Sequence, residues 1–308
     1  MINLLNNLVE KNKQYIKDGN LATYIPELAK VDPNKLGIAI IDLQHNNEEY
    51  CSGDYNSKFA IESIVNIPAL MLAVIDNDLD YVFSRVNTEP TNFSFDSILD
   101  MQITNKDKPN NPFINAGAIV TTSLIKGATS IDVSKRMLDF IKVLTDNNDI
   151  KINEKLYLSE KETADINRFL AYYMKGNGIL DGDVSNILDS YFRNCSIEID
   201  ALDLAKLGCV LSTNGILPWN DERIISEELS VIIKALMSTC GLYDESGEVS
   251  VLIGVPSKSG VGGGILAVVP NKYSIGIFSP TLNDKGNSIA GIHLLKDLSD
   301  ALNLDILK

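Results

Sequence analysis

The arrangement of two hydrophobic patterns along the chain constrains its fold most strongly. Runs typical of β-strands lie near both ends, at residues 36–43, 249–255, 264–269 and 273–278. Between residue 67 and about residue 245, apolar residues recur at spacings of three and four, the period of an amphipathic helix. Strands from the two ends can share one sheet, so we expect an α/β (α+β) protein in which an antiparallel sheet carries an inserted helical lobe.

The same periodicities place the individual elements. Helices are predicted at residues 2–17, 133–144, 160–174, 199–212, 226–240 and 289–302. The polar stretch at 46–54 predicts a hairpin loop, and a second strand follows it near residues 58–61. We expect one domain, residues 1–308. Its lobes are predicted to be a sheet lobe of residues 1–66 plus 245–308 and a mainly helical lobe of residues 67–244.

Charge and hydropathy argue against several kinds of partner. The formal net charge of −14 and the isoelectric point near 4.6 argue against nucleic acid, whose phosphates bind clusters of Lys and Arg. No apolar run reaches the roughly 18 residues that a membrane span needs, and no N-terminal signal sequence is evident. We therefore expect a cytoplasmic protein with no membrane partner. Two histidines and four cysteines without a CxxC pair predict no metal site, and we expect no cofactor.

One short motif brings together groups that could do chemistry. Lys258, Ser259 and Gly260 precede a predicted strand and begin a glycine-rich stretch that ends at Gly264. Glycines there let another backbone segment or a ligand come close, although such stretches are more often simple turns. The lysine precedes the glycines, so this stretch does not fit a phosphate-binding loop.

Together with Ser63, this motif resembles the Lys-Thr-Gly element of penicillin-recognising serine enzymes, whose partner is a serine that opens a helix. The chain resembles one family more specifically, the serine-dependent glutaminases of the β-lactamase/DD-peptidase-like fold. Further blocks of its sequence resemble motifs of that family and occur in the same order along the chain. The blocks lie at residues 24–29, 111–119, 157–160, 167–168, 191–196, 240–247, 258–265, 279–280 and 286–288. The resemblance therefore covers nearly the whole chain and implies that fold.

The resemblance to glutaminases implies an activity, the hydrolysis of L-glutamine to L-glutamate and ammonia through an acyl-enzyme on Ser63. It implies that Tyr243 transfers protons near this nucleophile, that Lys258 assists, and that the backbone amides of Ser63 and Val261 form the oxyanion hole. Glu160 suits the α-ammonium of the substrate. The implied substrate-binding set is Tyr24, Ser63, Asn115, Glu160, Asn167, Tyr191, Tyr243 and Val261.

Some members of this set also have ordinary structural interpretations. Tyr191 could be a core aromatic, Asn115 a helix cap, and Glu160 an acid in the first turn of a helix. These residues occur in the family's order along the chain, together with Ser63 and the Lys-Ser-Gly motif. This shared order favours the functional interpretation.

Asn66 departs from the family pattern, because glutaminases place a lysine three residues after the serine. Positions i and i+3 share a helix face, where a neutral amine can take the hydroxyl proton, whereas an amide cannot act as that base. Pro68 then leaves two geometries. Either the helix opens at Ser63 and Pro68 strains its second turn, or it opens later with Asn66 as its N-cap, which would unseat Ser63. Two smaller departures add negative charge, Glu62 for the usual glutamine and Asp96 for an asparagine.

Three functions stay open at this point. The first, which we expect, is a glutaminase whose activity is weak because Asn66 replaces the lysine. The second is a catalytically impaired relative that binds glutamine or a similar amino acid as a sensor or partner subunit. The third is a β-lactamase-like acylating enzyme, which shares the serine and the Lys-Ser-Gly motif. The resemblance also implies a homodimer or homotetramer.

Overall fold

The computed structural model describes residues 1–97, 99, 102 and 107–308. The strands of these residues are β1 (Gly37–Asp42), β2 (Glu48–Gly53), β3 (Phe59–Ala60), β4 (Lys151–Ile152), β5 (Ile197–Ile199), β6 (Ser257–Ser259), β7 (Gly264–Val269) and β8 (Tyr273–Phe278). The main sheet is antiparallel with the order β2-β1-β8-β7-β6, and β3, β5 and β4 form a smaller sheet. In the main sheet, β1 pairs with β8 so that Gly37 lies opposite Phe278. The prediction of an antiparallel sheet built from both ends of the chain is confirmed.

Most of the described residues between the two groups of strands are helical. The helices are α1 (Ile2–Asn12), α2 (Asn66–Asn77), α3 (Leu79–Arg85), α4 (Asn115–Ser123), α5 (Ser130–Thr145), α6 (Glu154–Thr163), α7 (Asp165–Gly176), α8 (Val184–Cys195), α9 (Ala201–Ser212), α10 (Glu227–Cys240), α11 (Ser246–Ile253) and α12 (Ile289–Leu302). The predicted helix at 289–302 is confirmed at both ends. The predicted helix at 160–174 is divided, because the chain breaks at Ala164 between α6 and α7. The predicted helix at 2–17 ends at Asn12 and continues as a 3₁₀ turn, Lys13–Asp18.

The main sheet is covered on both faces, which explains why its inner strands are buried throughout. Successive side chains of a strand point to opposite faces. Ile38 and Ile40 accordingly pack with the residues of α1 and α12 in one apolar cluster. Ala39 and Ile41 belong to the other cluster, which contains the helices of the middle of the chain. The sheet therefore forms the layer between two apolar cores.

Helix α9 lies unusually close to this sheet because glycines stand at the contact. A Cβ atom at Gly276 of β8 would lie 2.1 Å from the carbonyl oxygen of Ala201, and one at Gly208 of α9 would lie 2.3 Å from the Ser274 hydroxyl oxygen. The Ser274 hydroxyl donates a hydrogen bond of 2.5 Å to the carbonyl oxygen of Ala205 in α9. The missing side chains thus let helix and sheet backbones approach within hydrogen-bonding range.

The prediction of a strand at 249–255 is wrong, because most of this segment is helix α11. Val249 and Ile253, four residues apart, are buried on one helix face, whereas Val251 is 83% exposed. Gly254, with φ 68°, then ends the helix in the left-handed conformation that glycine adopts readily. A run of Val and Ile suits a strand locally, but packing of one face onto the core selects the helix here.

The prediction of a loop throughout 46–54 is also wrong, because Glu48–Gly53 is strand β2. Its polar residues suit the edge of the sheet, where one side of the strand faces solvent. The strand expected near residues 58–61 is the two-residue strand β3, and it belongs to the smaller sheet.

Two further observations bear on the chain as a whole. The four cysteines are free thiols, and Cys195, Cys209 and Cys240 are buried. Among the described residues, no helix combines the length and apolar character required to span a membrane. The division into lobes at residues 66/67 and 244/245 stays a prediction.

We predict that Gly276→Ala lowers the free energy of unfolding by roughly 1–3 kcal/mol, because the added methyl group collides with the backbone of α9. Urea unfolding followed by circular dichroism measures the change. Gly247→Ala in α11 is the matched control, since a Cβ there meets no atom within 4 Å. The control should leave stability unchanged or raise it by about 0.5–1 kcal/mol. Equal stabilities of the two variants would contradict the close packing.

Candidate active site

A cavity of about 300 Å³ opens beside Ser63. This volume suits a small ligand such as a single amino acid. Side chains from the 3₁₀ turn Glu62–Val65, from helices α4, α6, α7 and α8, and from the turn before β7 surround it. The lining residues are Tyr24, Ile25, Glu62, Ser63, Phe95, Asp96, Asn115, Glu160, Thr163, Ala164, Ile166, Asn167, Tyr191 and Val261. The structure therefore brings together every predicted substrate-binding residue except Tyr243, which does not line this cavity.

Ser63 is held in the 3₁₀ turn Glu62–Val65, which runs directly into α2. Neither geometry expected from Pro68 occurs. The N-cap of α2 is Val65, and Asn66 is the first helical residue with no capping hydrogen bond, so the assignment of Asn66 as N-cap is wrong. Pro68 is the third residue of the helix, where its missing N–H costs nothing. A late helix start does not unseat Ser63, because Ser63 belongs to the 3₁₀ turn that runs directly into α2.

A buried lysine and a buried amide both lie near Phe113. The amine of Lys258 is fully buried, donates a hydrogen bond of 2.5 Å to the carbonyl oxygen of Ser259, and lies 5.7 Å from the ring centre of Phe113. The side-chain nitrogen of Asn66 lies 3.5 Å from the carbonyl oxygen of the same Phe113. Burial lowers the pKa of Lys258 to about 7, because the low-dielectric interior disfavours the ammonium form. A substantial fraction of this amine is therefore neutral near pH 7.

Tyr243 connects the serine to this amine. Its hydroxyl lies 3.4 Å from the carbonyl oxygen of Ser259, and the Ser63 side chain is close enough to lower its pKa. The amine of Lys258 lies 4.7 Å from the centre of the Tyr243 ring. Burial raises the pKa of Tyr243, although the neighbouring Ser63 side chain opposes the shift. Tyr243 is thus a neutral phenol in contact with both groups.

The glycine-rich stretch closes the other side of the serine. Its turn is held by hydrogen bonds from the Gly260 N–H to the Gly264 carbonyl oxygen, 3.1 Å, and from the Gly263 N–H to the Gly260 carbonyl oxygen, 2.9 Å. A Cβ atom at Gly262 would lie 2.2 Å from the carbonyl oxygen of Ala60. These glycines are therefore required for close backbone approach, as the sequence analysis allowed.

Polar side chains form the wall opposite the serine. The Asn115 amide donates a hydrogen bond of 2.8 Å to the amide oxygen of Asn167. Asn115 follows the N-cap Ile114 of α4, so it is not a cap. Glu160 lies beyond the first turn of α6, so the dipole of that turn does not explain it. Both structural interpretations of these residues are wrong. Tyr191 is 4% exposed, so it is a buried aromatic that also faces the cavity.

The acidic side of the cavity contains a pair of buried carboxyl groups. Glu62 and Glu160 are 3% and 7% exposed, and oxygen atoms of the two lie within 4.8 Å of each other and of the Cys195 sulfur. Burial raises the pKa of Glu62, and burial together with the nearby Glu62 raises the pKa of Glu160. Burial also raises the pKa of the Cys195 thiol. These groups are held in their protonated forms more strongly than in water.

The same three groups are the ones that could hold a metal ion among the described residues. Two carboxylates and a thiolate are suitable ligands only when deprotonated. Their raised pKa values therefore oppose metal binding at neutral pH. The expectation that the protein uses no metal stays a prediction.

Sequence reasoning missed several cavity residues. Phe95, Ile25, Thr163, Ala164 and Ile166 line the cavity. Each lies within a few positions of a residue that was singled out, and this adjacency was the available signal. Their apolar and small side chains gave no chemical signal of their own. Phe95 also packs on Tyr243, with ring centres 4.6 Å apart.

Comparison with known proteins identifies the family. The family model described as Glutaminase matches residues 19–307. Glutaminase 1 of Clostridium perfringens (strain 13 / Type A) is 56% identical over 304 residues, covering 99% of each chain. Glutaminase 2 of the same organism is 53% identical over 306 residues, covering 99% of this chain and 100% of the relative.

Solved structures agree with this comparison in fold. A probable glutaminase from Bacillus subtilis complexed with 6-diazo-5-oxo-L-norleucine superimposes with a TM-score of 0.90 at 33% identity, covering 98% of this chain and 95% of the other. The resemblance inferred from the sequence, and the β-lactamase-like fold that it implied, are confirmed. Because the family model and the listed relatives each match nearly the whole length of this chain, the chain belongs to the glutaminase family.

Proposed function

We propose that this chain hydrolyses L-glutamine to L-glutamate and ammonia through an acyl-enzyme on Ser63. The observation that supports this most is the position of Ser63, which lines the cavity together with Val261 and adjoins Tyr243. The serine oxygen attacks the side-chain amide carbon, and ammonia leaves after taking up a proton. Water then attacks the resulting ester, which releases glutamate and restores the hydroxyl.

Lys258 is the base in this proposal. Its amine takes the Ser63 proton, with the Tyr243 hydroxyl between them as the relay, and returns it to the leaving ammonia. The lowered pKa of Lys258 supports this role, because a base works best when its pKa is near the working pH. Asn66 cannot replace it, because an amide accepts no proton at neutral pH.

Backbone and side-chain groups around the cavity hold the substrate. The N–H groups of Ser63 and Val261 stabilise the negative oxygen of the tetrahedral intermediate, an interaction that typically contributes about 10²–10³ in rate per donor. Glu160 binds the α-ammonium. The amides of Asn115 and Asn167, already hydrogen-bonded to each other, present further polar groups to the amino acid.

Asn66 supports a second candidate, the catalytically impaired relative that binds glutamine or a similar amino acid. This side chain occupies the family's lysine position and is 2% exposed, so it puts an amide where glutaminases have an amine. The two candidates differ in turnover and not in binding. A cytoplasmic location, a homodimer or homotetramer, and the absence of nucleic-acid partners and cofactors stay predictions.

We predict that Ser63→Ala lowers ammonia release from L-glutamine by about 10⁴-fold or more, because the attacking oxygen is lost. A coupled ammonia assay on purified protein measures the rate. Ser185→Ala, at an exposed position in α8, is the matched control and should retain the wild-type rate. Equal rates for wild type and Ser63→Ala would remove the proposed function.

We predict that Lys258→Met lowers kcat by roughly 10²–10⁴-fold, the usual contribution of a general base. In the wild type, kcat should fall as the pH drops below about 7, because the Lys258 amine becomes protonated there. The variant should lack this acid limb. Lys126→Met, at an exposed position, controls for removal of a positive charge. An unchanged acid limb in Lys258→Met would assign the base elsewhere.

We predict that Asn66→Lys changes kcat by less than about tenfold, because Lys258 already supplies a neutral amine next to Tyr243. Steady-state kinetics with L-glutamine on both proteins test this. A gain of about 10²-fold or more would instead support the impaired relative, since the family's base would then be the missing component. Circular dichroism of both proteins verifies that the buried lysine is tolerated.

A further inference from the structure

A thiol and two carboxyl groups meet at the wall of the cavity, and each comes from a different element. Glu62 belongs to the 3₁₀ turn before α2, Glu160 belongs to α6, and Cys195 is the last residue of α8. One oxygen atom of each carboxyl group and the Cys195 sulfur all lie within 4.8 Å of one another. No second group of three His, Cys, Asp or Glu side chains comes this close together among the described residues.

The carboxyl groups of this cluster are short of hydrogen-bond donors. One side-chain oxygen of Glu62, a residue that is 3% exposed, is buried without a partner among the described residues. The Ser196 hydroxyl lies 3.4 Å from Glu160, but it has one proton and lies closer, at 2.8 Å, to the carbonyl oxygen of Phe192. Buried oxygen atoms without donors are rare and indicate a place for an ion, a water molecule or a ligand.

No basic side chain in the cavity lining compensates the charge of the cluster. Among the described lining residues there is no Arg or Lys. The amine of Lys258 acts electrostatically on Cys195, but burial favours the neutral form of that amine. Protons therefore neutralise the three groups, as their raised pKa values indicate. A divalent cation can replace those protons, because it carries two positive charges and can bond to all three groups at once.

The donor atoms indicate which class of cation fits. A thiolate ligand selects soft or borderline metals such as Zn²⁺ and Cd²⁺ over Mg²⁺ and Ca²⁺. Zinc accepts three protein ligands together with one water molecule, with bonds of about 2.3 Å to sulfur and about 2.0–2.2 Å to oxygen. Ligand atoms around tetrahedral zinc are thus roughly 3.3–3.8 Å apart. The cluster has to contract by about 1 Å, which rotation of two glutamate side chains can supply.

The protons on the three groups weaken metal binding without preventing it. A metal ion displaces protons from its ligands, and zinc binds thiolates at neutral pH although a free cysteine has a pKa of about 8.5. Because burial raises the pKa values further, the affinity should be lower than that of a structural zinc site. We therefore expect a metal ion that binds when it is supplied and is not a permanent component of the protein.

Position 62 makes this cluster a property of the present chain. Glutaminases usually have a glutamine there, as the sequence comparison indicated, and a neutral amide oxygen offers a cation no negative charge. Glu62 supplies the second carboxylate of the cluster. Relatives with the usual glutamine are therefore expected to bind such a cation more weakly.

We propose that Glu62, Glu160 and Cys195 form a binding site for a thiophilic divalent cation, Zn²⁺ or Cd²⁺, and that the bound cation inhibits the protein. Glu62 and Glu160 line the cavity, so the cavity gives a cation access to the cluster. The inhibition rests on the proposed function, in which Glu160 binds the substrate, so that metal and L-glutamine exclude each other. The binding of the metal does not depend on hydrolysis.

Ultraviolet titration of the purified protein with cadmium chloride tests the site without substrate, because a bond between cadmium and a thiolate has its own charge-transfer absorption. Wild type should gain this absorption, and Cys195→Ser should lose it. Cys51→Ser is the matched control and should keep it, since Cys51 is a free thiol of β2 that lies outside the cluster. Retention of the absorption in Cys195→Ser, or its loss in Cys51→Ser, overturns the proposal.

The same titration tests the carboxylate that distinguishes this chain. Glu62→Gln should weaken cadmium binding by at least about 10–100-fold, the range that follows loss of a supporting group at a metal site. The exposed carboxylate Glu162 of α6 supplies the control Glu162→Gln, which should keep the wild-type affinity. Equal affinities of Glu62→Gln and wild type overturn the proposal.

Crystals of wild-type protein soaked in zinc chloride need no variant and so cover the case in which a substitution prevents folding. The anomalous signal of zinc should appear at bonding distance from the Cys195 sulfur and from one oxygen atom each of Glu62 and Glu160. Zinc at surface carboxylates only, as an adventitious ion, overturns the proposal.

Steady-state kinetics separate failure of this inference from failure of the proposed function. Zinc chloride should raise the apparent KM for L-glutamine without changing kcat, EDTA should reverse the effect, and Glu62→Gln should weaken the inhibition. Inhibition of unchanged strength in Glu62→Gln would overturn the inhibitory role. If the cadmium absorption appears but L-glutamine is not hydrolysed, the metal site holds and the proposed function fails. If L-glutamine is hydrolysed and the absorption is missing, this inference fails alone.

Discussion

The close contact between a glycine turn and the turn that carries Ser63 is the constraint on which the site depends. A Cβ atom at Gly262 would lie 2.2 Å from the carbonyl oxygen of Ala60, and one at Gly260 would lie 2.8 Å from that of Ile61. Because no side chains intervene, the segment before β7 lies directly against the segment before α2. Ser63 and Val261, far apart in the sequence, consequently face one cavity.

Exclusion of water from this region has opposite effects on its acids and its base. Burial lowers the pKa of the Lys258 amine and raises the pKa values of Glu62 and Glu160, in each case by disfavouring the charged form. One physical cause therefore moves an amine and two carboxyl groups toward neutral pH from opposite directions. Burial thus favours the neutral form of each of these three groups.

The fold could be predicted from the sequence where local pattern and final packing agree. Strands β7 and β8 and helix α12 occur at the predicted bounds, because their periodicities are strong and short turns delimit them. Strand β2 was missed because an edge strand tolerates polar residues that otherwise indicate a loop. Helix α11 was missed because Val and Ile favour strands locally, and only the core contact of Val249 and Ile253 reveals the helix.

The candidate site was predictable to the extent that family motifs encode it. Resemblance named most of the residues that line the cavity, and it named Asn66 as a departure. It could not reveal that Glu62 and Glu160 meet, because that depends on how the turn before α2 packs against α6. Nor could it give the start of α2, since the preceding 3₁₀ turn is too short to leave a periodic signal.

The two borders of the main sheet have a consequence for how the protein behaves when concentrated. On one border, β2 exposes acidic side chains at Glu48 and Glu49, the latter paired with Lys206 at 3.0 Å. On the other, β6 is three residues long, and its Ser259 N–H is already bonded to the Gly241 carbonyl oxygen at 3.0 Å. A neighbouring copy thus meets like charge at one border and occupied backbone groups at the other. Growth of the sheet from molecule to molecule, the usual first step towards fibrils, is disfavoured at both borders.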